Sequence, residues 1–388
     1  MKKFIFLLFL LSFISNAQQI QLSPQAELSV ITCGPGYNEL YATFGHSAFR
    51  VKDIPNKIDR VYNYGTFDFN SPNFYVKFTQ GKLLYELRAY NFGRFLQSYN
   101  HEKRWVKGQI LDLNNDEIQQ VYEFLENNAK PENRSYKYDF FYDNCSTKLY
   151  DVLEDVLGDK IFFDNTFDQH NYTHRDLIQL YLKNLPWGDF GIDLALGSKI
   201  DQKANAKEYM FLPDFVFEAF TNIKIKENGL EKPIVKRTEI ILKEYNNQFL
   251  NGFFTPLVVF SFLAFIVLVF TYLDYKKGKR NKVLDAAIFG LTGIVGIVVL
   301  LLWFATDHST TIQNFNILWA FAPNLVIAFV IAKNQKISNY YMITLLGLLD
   351  IMVLLWIFKI QVFHIAMIPI LIALYIRYIY LWIYFKKG

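Results

Sequence analysis

Apolar residues fall into two regimes along this chain. Up to about residue 250 they alternate with polar positions or recur at helical spacing, and beyond it they gather into long runs. In the first regime, His46-Ser47-Ala48-Phe49-Arg50-Val51-Lys52 sets Phe49 and Val51 against Arg50 and Lys52, the period-two pattern of a half-buried strand. Val61-Tyr62-Asn63-Tyr64 predicts a second strand. Ile118, Val121, Tyr122 and Leu125 share the face of a helix that Asn115 or Asp116 can cap. Leu149, Val152, Leu153, Val156 and Leu157 mark another, which Asp143 or Asn144 can open and Gly158 can stop. Residues 223–245 are dense in Lys and Glu and read as a solvated segment leading to a membrane.

In the second regime, apolar stretches at 253–273, 285–305, 317–332, 341–358 and 362–385 each approach spanning length, so five helical crossings are expected. Lys276, Lys277, Lys279, Arg280 and Lys282 follow the first stretch and Lys386-Lys387 follow the last, whereas 306–315 holds no Lys or Arg. Positive-inside counting puts the first half of the chain outside. Asp350 and Arg377 fall within spans, where lone charges are costly, and are expected to pair across the last two helices. Trp303 and Trp319 fit an aromatic belt.

At the start, Lys2 and Lys3, an apolar run from Phe4 to Phe13 and Ser15-Asn16-Ala17 read as a signal peptide cleaved after Ala17; an uncleaved anchor is the alternative. The resulting organisation is a signal peptide at 1–17, a soluble domain at 18–222, a charged linker at 223–252 and a transmembrane domain at 253–388. The 388 residues are 52% hydrophobic and carry a net charge of only +4, which argues against a nucleic-acid partner because the basic residues are accounted for by topology.

Two cysteines in an exported chain, Cys33 and Cys145, would by default form one disulfide. Cys145 nevertheless stands in Asp143-Asn144-Cys145-Ser146-Thr147 at a helix start, where exposed amides can stabilise a thiolate. Cys33, in Thr32-Cys33-Gly34-Pro35-Gly36, has no evident activating group and reads as structural. A cysteine nucleophile needs a base and a group to orient that base. His46, behind Gly45, is the best-placed base, although a packed polar role is the blander reading. His101, His170 and His174 make no complete metal set and suit surface or capping roles. His308, in the outward loop Asp307-His308-Ser309-Thr310, could touch a lipid head group or an acceptor, or be an ordinary loop residue.

The order of His, a polar residue on the next strand and Cys at a helix start resembles the circularly permuted papain-like enzymes, among them lecithin:retinol acyltransferase-like and NlpC-type proteins. Phe44-Gly45-His46-Ser47-Ala48-Phe49-Arg50-Val51, Asn144-Cys145-Ser146-Thr147, Pro186-Trp187-Gly188-Asp189-Phe190-Gly191-Ile192-Asp193 and Leu318-Trp319-Ala320 resemble the Lnb family of Bacteroidota over nearly the whole chain. That resemblance implies an α+β permuted papain-like (NlpC-type) periplasmic domain followed by an all-α five-helix transmembrane bundle in the bacterial inner membrane. It also implies lipoprotein N-acylation, with phospholipid as acyl donor, a lipoprotein as acceptor, membrane lipids as surroundings and no cofactor or metal. Carried over by position, Cys145 is the nucleophile and His46 the base. Asn63 is the orienting residue, with Tyr62, Tyr64 and Asp68 as alternatives, and Asn144, Ser146, Arg50 and His308 are expected to contact substrate. Two other functions stay open: a membrane-anchored cysteine peptidase or amidase acting on cell-wall peptides, and a non-catalytic scaffold held by a Cys33–Cys145 disulfide.

Overall fold

The computed structural model describes residues 20–36, 40–163, 171–227, 229–245, 252–331 and 335–387; the expected signal peptide, His170, most of 246–252 and the end of the third apolar stretch lie outside them. The chain opens with strands β1 (Glu27–Cys33), β2 (His46–Asp53) and β3 (Ile58–Thr66), then helix α1 (Phe74–Thr79), β4 (Leu84–Asn91), α2 (Phe92–His101), β5 (Val106–Leu111), α3 (Asn115–Asn128) and β6 (Ser135–Lys137). Next come α4 (Thr147–Leu157), β7 (Ile161–Phe163), α5 (His174–Leu182), α6 (Pro186–Ala195), α7 (Ala206–Tyr209) and α8 (Pro213–Asn222). Strands β8 (Ile223–Glu227), β9 (Leu230–Pro233) and β10 (Val235–Leu242) complete this α+β domain. The helical region then comprises α9 (Pro256–Lys277), α10 (Lys282–Phe304), α11 (Asn324–Val330), α12 (Gln335–Ile357) and α13 (Met367–Lys387).

An antiparallel seven-stranded sheet in the order β10-β5-β1-β2-β3-β4-β6 forms the frame. Alternation decides its faces. Phe49, Val51, Tyr62 and Tyr64 enter a large core with α3, α4, α5 and α8, while Ile31, Cys33, Ala48 and Val61 face α2 through Phe92 and Phe95. The period-two reading of β2 is therefore correct. The α3 helix is capped one residue earlier than expected: Asn114 accepts from Glu117 N, and Glu117 reaches back to Asn114 N.

The charged stretch at 223–245 is not a free linker. It supplies β8, β9 and β10, and β10 pairs with β5 as an edge of the main sheet. Its Lys, Arg and Glu lie on the exposed side, for example Arg237 against Glu27 at 2.7 Å, which suits an edge that must not pair with another chain.

Among the described residues, four helices, α9, α10, α12 and α13, are long and apolar enough to cross a membrane. The third apolar stretch is broken. After a single 3₁₀ turn at Phe315–Leu318 it forms only the seven-residue α11, about 10 Å long against a hydrocarbon core of about 30 Å. It still runs from one end of the bundle to the other: Asn314 Nδ2 donates to Leu194 O of the soluble domain at 2.8 Å, and Ile331 O accepts from Arg280 Nη2 at 3.3 Å. Close packing permits the break. A Cβ on Gly296 would lie 2.0 Å from Ala320 O, and one on Gly293 would lie 2.3 Å from Leu325 N, so backbone rests on backbone. Asn324 helps to satisfy polar groups there, donating to Thr292 Oγ1 at 2.9 Å and accepting from Tyr341 OH at 2.6 Å.

Arg377 does not pair with Asp350. It faces α9 and α10, where Nη1 reaches Asp274 at 2.9 Å and Nη2 reaches Asp285 at 2.6 Å, and Arg280 closes on Asp285 at 2.9 Å. Asp350 sits on the exposed face of α12, with no ion pair among the described residues, so helical phase rather than sequence distance decides the partner. Trp319 is also not in a belt, being buried with Nε1 donating to Asn316 Oδ1 at 2.9 Å.

Removing one member of a buried ion cluster costs about 3–5 kcal/mol. Arg377→Ala is therefore expected to lower the unfolding temperature in detergent markedly, and Asp350→Ala to leave it close to that of the parent. Equal losses for the two variants would restore the Asp350–Arg377 pairing.

Candidate active site

His46 is the first residue of β2 and is delivered by Gly45, whose φ of +82 and closeness to the Cys33 carbonyl (2.7 Å from an added Cβ) leave room for no side chain. Phe49 pairs with Tyr62 across β2 and β3, so Asn63 lies one step further along, on the His46 face and diagonal to it. Asn63 Oδ1 hydrogen-bonds His46 Nε2, and Asn63 Nδ2 donates to Tyr90 OH at 2.7 Å. Tyr90 on β4 thus holds the amide that holds the imidazole, leaving Nδ1 for the thiol.

Of the alternatives to Asn63, Tyr62 bonds Glu126 and Tyr64 OH donates to Asn128 Oδ1 at 2.6 Å, both on the opposite face of the sheet. Asp68 accepts from Asn70 N at 2.9 Å in a local turn.

Cys145 meets this pair from the loop before α4. Burial opposes ionisation of its thiol, but the His46 charge and hydrogen bond, the Ser47 main-chain N–H and the Ser146 hydroxyl outweigh burial and lower its pKa. Burial pulls His46 the other way from Cys145, yet the Cys145 charge and hydrogen bond, with help from Asn63, leave the imidazole pKa raised. Both shifts favour passage of the thiol proton to the imidazole.

The exposed helix amides expected to stabilise that thiolate are not available. Asn144 Oδ1 accepts from Ser146 N at 2.7 Å and from Thr147 N at 3.0 Å, consuming the first donors of α4. Its Nδ2 donates to Phe140 O and Phe211 O, each at 2.7 Å, and the residue is 2% exposed. Asn144 therefore positions the Cys145 loop and has no side-chain polar atom to spare. Arg50, also expected at substrate, is held by Asp59 at 2.7 and 2.9 Å and stacks over Phe92 at 3.8 Å. Ser146 is buried beside the sulfur, its Oγ 3.9 Å from Cys145 Sγ and 3.3 Å from Ser47 Oγ. His174 is buried among Phe141 and Phe211 instead of lying at the surface. His101 ends α2 and is exposed.

Both cysteines are free, so no disulfide joins them. Cys33 lies directly opposite His46 in the β1–β2 register, yet burial drives its pKa far up, only partly countered by Arg104 and a hydrogen bond with Tyr99, so it stays a neutral thiol. Two participants escaped the sequence reading. Tyr90 depends on β3–β4 pairing and carries no local signal. Gly65 has φ +81, and a Cβ there would lie 3.3 Å from Cys145 Cβ, so its absence opens space over Cys145; an isolated glycine inside a strand was the available clue. Among the described residues, no cluster of His, Cys, Asp and Glu could hold a metal ion.

The helical region reaches this site. Ser309 Oγ donates to Asp139 Oδ2 at 2.5 Å, and Asp139 closes the turn that leads into Cys145 by accepting from Phe141 N at 2.9 Å. Asp307 binds Lys137 at 3.0 Å, and His308 Nε2 contacts Thr79 O at 3.1 Å, so His308 touches the soluble domain itself. The Pro186-to-Asp193 motif is α6, which docks on the bundle: Trp187 Nε1 donates to Phe254 O at 2.8 Å, and Phe190 packs on Phe260 with ring centroids 4.9 Å apart. Beside it, Arg175 is 2% exposed and joins Asp193 and Asp201, and Asp201 also accepts from Val362 N at 3.2 Å.

Residues 16–180 match the family model of the Lnb N-terminal periplasmic domain, and residues 248–388 match that of the Lnb transmembrane domain. No curated protein and no solved structure matches the chain. With four spanning-length helices, this is a multi-pass membrane protein.

A lowered thiol pKa means that thiolate survives as pH falls through the ordinary thiol range; a raised imidazole pKa means that the ring keeps its proton as pH climbs through the ordinary histidine range. Alkylation of Cys145 by iodoacetamide is thus expected to stay fast below the usual thiol pKa in the intact protein. In His46→Ala it should fall by about tenfold for each pH unit, and Cys33 should stay unlabelled until unfolding. A Cys145 titration identical in parent and variant would contradict the pairing.

Proposed function

This chain belongs to the Lnb family, and on that footing we propose that it is a lipoprotein N-acyltransferase. The reading has the soluble domain on the periplasmic side of a bacterial inner membrane. The observation that carries it is the free Cys145 thiol, its pKa lowered by the adjoining His46, in a loop gripped by the turn that joins two apolar helices. A two-chain lipid seldom leaves its bilayer, so a nucleophile that acts on it must be held at the membrane surface.

In the first half-reaction the Cys145 thiolate attacks an ester carbonyl of a phospholipid. The carbonyl–oxygen bond breaks, His46 gives its proton to the departing lysophospholipid alkoxide, and the acyl group remains as a thioester on sulfur. In the second, the N-terminal amine of a lipoprotein attacks the thioester. His46 takes the amine proton, the amide forms, and the Cys145 thiolate returns. Asn63, anchored by Tyr90, keeps the ring aligned through both steps.

No cofactor enters this cycle. The donor side rests on the site and its membrane setting, and the lipoprotein acceptor rests on the family. A free Cys145 also removes the disulfide on which a scaffold reading depended.

Incubation of the purified protein with phospholipid is expected to leave an acyl mass on the Cys145 peptide and to release lysophospholipid. Cys145→Ser should abolish both while remaining folded and membrane-embedded, and lipoprotein N-termini from cells lacking the protein should carry a free amine. Normal transfer by Cys145→Ser would defeat the mechanism, and release of wall peptides without phospholipid turnover would assign a peptidase instead.

A further inference from the structure

Between the candidate site and the bundle lies an aromatic surface with no role in the chemistry above. The α1 helix and the loop before it expose Phe69 (66%), Tyr75 (77%) and Phe78 (51%), an unusual density of large apolar side chains for a surface facing water. Their position relative to the bundle is fixed by hydrogen bonds: Asp307 N donates to Gln80 O at 2.8 Å, and His308 Nε2 contacts Thr79 O at 3.1 Å. Asp307 follows the end of α10, at Phe304, by only three residues, and Phe304 is itself 71% exposed at the tip of a spanning-length helix. The aromatic surface therefore sits at the level where that helix leaves the apolar layer, the depth that amphipathic aromatic rings favour.

The same rings run inward. Phe78 packs on Phe74 (centroids 6.2 Å apart), Phe74 on Phe67 (5.7 Å), Phe67 on Tyr85 (5.3 Å), and Tyr85 stacks on Tyr138 (4.1 Å). Tyr138 in turn borders the space left open at Gly65: an added Cβ there would be 3.8 Å from the Tyr138 ring and 3.3 Å from Cys145 Cβ. An unbroken aromatic track thus connects the exposed lip to the nucleophile.

We propose that α1 and its preceding loop are a lip inserted into the outer leaflet, and that the track from Phe78 to Tyr138 receives the donor's acyl chain and leads its ester to Cys145. This rests on the acyltransferase reading for the identity of the ester, but insertion of the lip does not. Apolar rings can hold a methylene chain without fixing its length, since contact area grows smoothly along the track. A peptide donor would gain little there, because the track offers it no row of hydrogen-bonding partners.

The test places the photoreactive residue p-benzoylphenylalanine at Phe78 in the full-length protein, reconstituted in vesicles of radiolabelled phosphatidylethanolamine. The control position is Ile54, 68% exposed at the far end of β2 and about 25 Å from His46. Irradiation is expected to attach labelled lipid at position 78 several-fold above position 54, whether or not a thioester forms on Cys145. Labelling at position 78 no greater than at position 54 would overturn the lip, even if acylation of Cys145 proceeds. Labelling at position 78 without any Cys145 thioester would uphold the lip and remove the acyltransferase reading.

Discussion

Cys145 and His46 lie buried side by side and each is the other's main electrostatic support, and much of the soluble domain is arranged to keep them together. Desolvation works against both charges, so the pair persists only because each charge supplies the other with its main compensation. That demand reaches outward. Gly45 delivers His46 without a side chain that would strike the Cys33 carbonyl, Asn63 orients the ring, and Tyr90 orients Asn63. On the other side Asn144 spends its whole side chain on the loop that presents Cys145, even taking the helix amides that would otherwise serve the sulfur. The sulfur instead draws on the Ser47 main-chain N–H, a donor supplied by the residue after His46.

The membrane region is coupled to that arrangement through a few polar contacts in place of a flexible tether. Ser309 holds Asp139, Asp307 holds Lys137, and Asn314 binds the carbonyls that end α6. Gly197 lets the two parts touch backbone to backbone, since a Cβ there would fall 1.9 Å from Ile312 O. Deeper in the bundle, Arg377 and Arg280 neutralise Asp274 and Asp285, which pins α13 to the junction of α9 and α10. Each of these contacts constrains orientation as well as distance where the soluble domain meets the bundle.

Several features were legible before any coordinates. The alternation around Phe49 and Val51, the helical spacing of Leu149 to Leu157 and the stop at Gly158 are local patterns, and the structure keeps all of them. His46 and Cys145 stood out because their neighbours constrain them locally: a glycine before one, a helix start after the other. Where the reading failed, the deciding neighbour was remote in sequence. Arg377 was taken by Asp274 and Asp285, and the Lys- and Glu-rich stretch by β5. The third apolar stretch was long enough to suggest a helix, but glycines on α10 offered its backbone a closer fit than a continuous helix would make.

By itself, then, the sequence determined two regimes of hydrophobicity, the helices long and apolar enough to span a membrane, and two residues suited to nucleophile and base, because each of these depends on side chains within a few positions of one another. Only the tertiary structure decided that Asn63 and not Tyr62, Tyr64 or Asp68 bonds His46, that Cys33 stays a buried thiol beside it, and that the bundle's loop holds the turn leading into Cys145. Those outcomes turn on strand register, on which face a side chain takes, and on contacts between segments more than a hundred residues apart. None of these is encoded in local spacing.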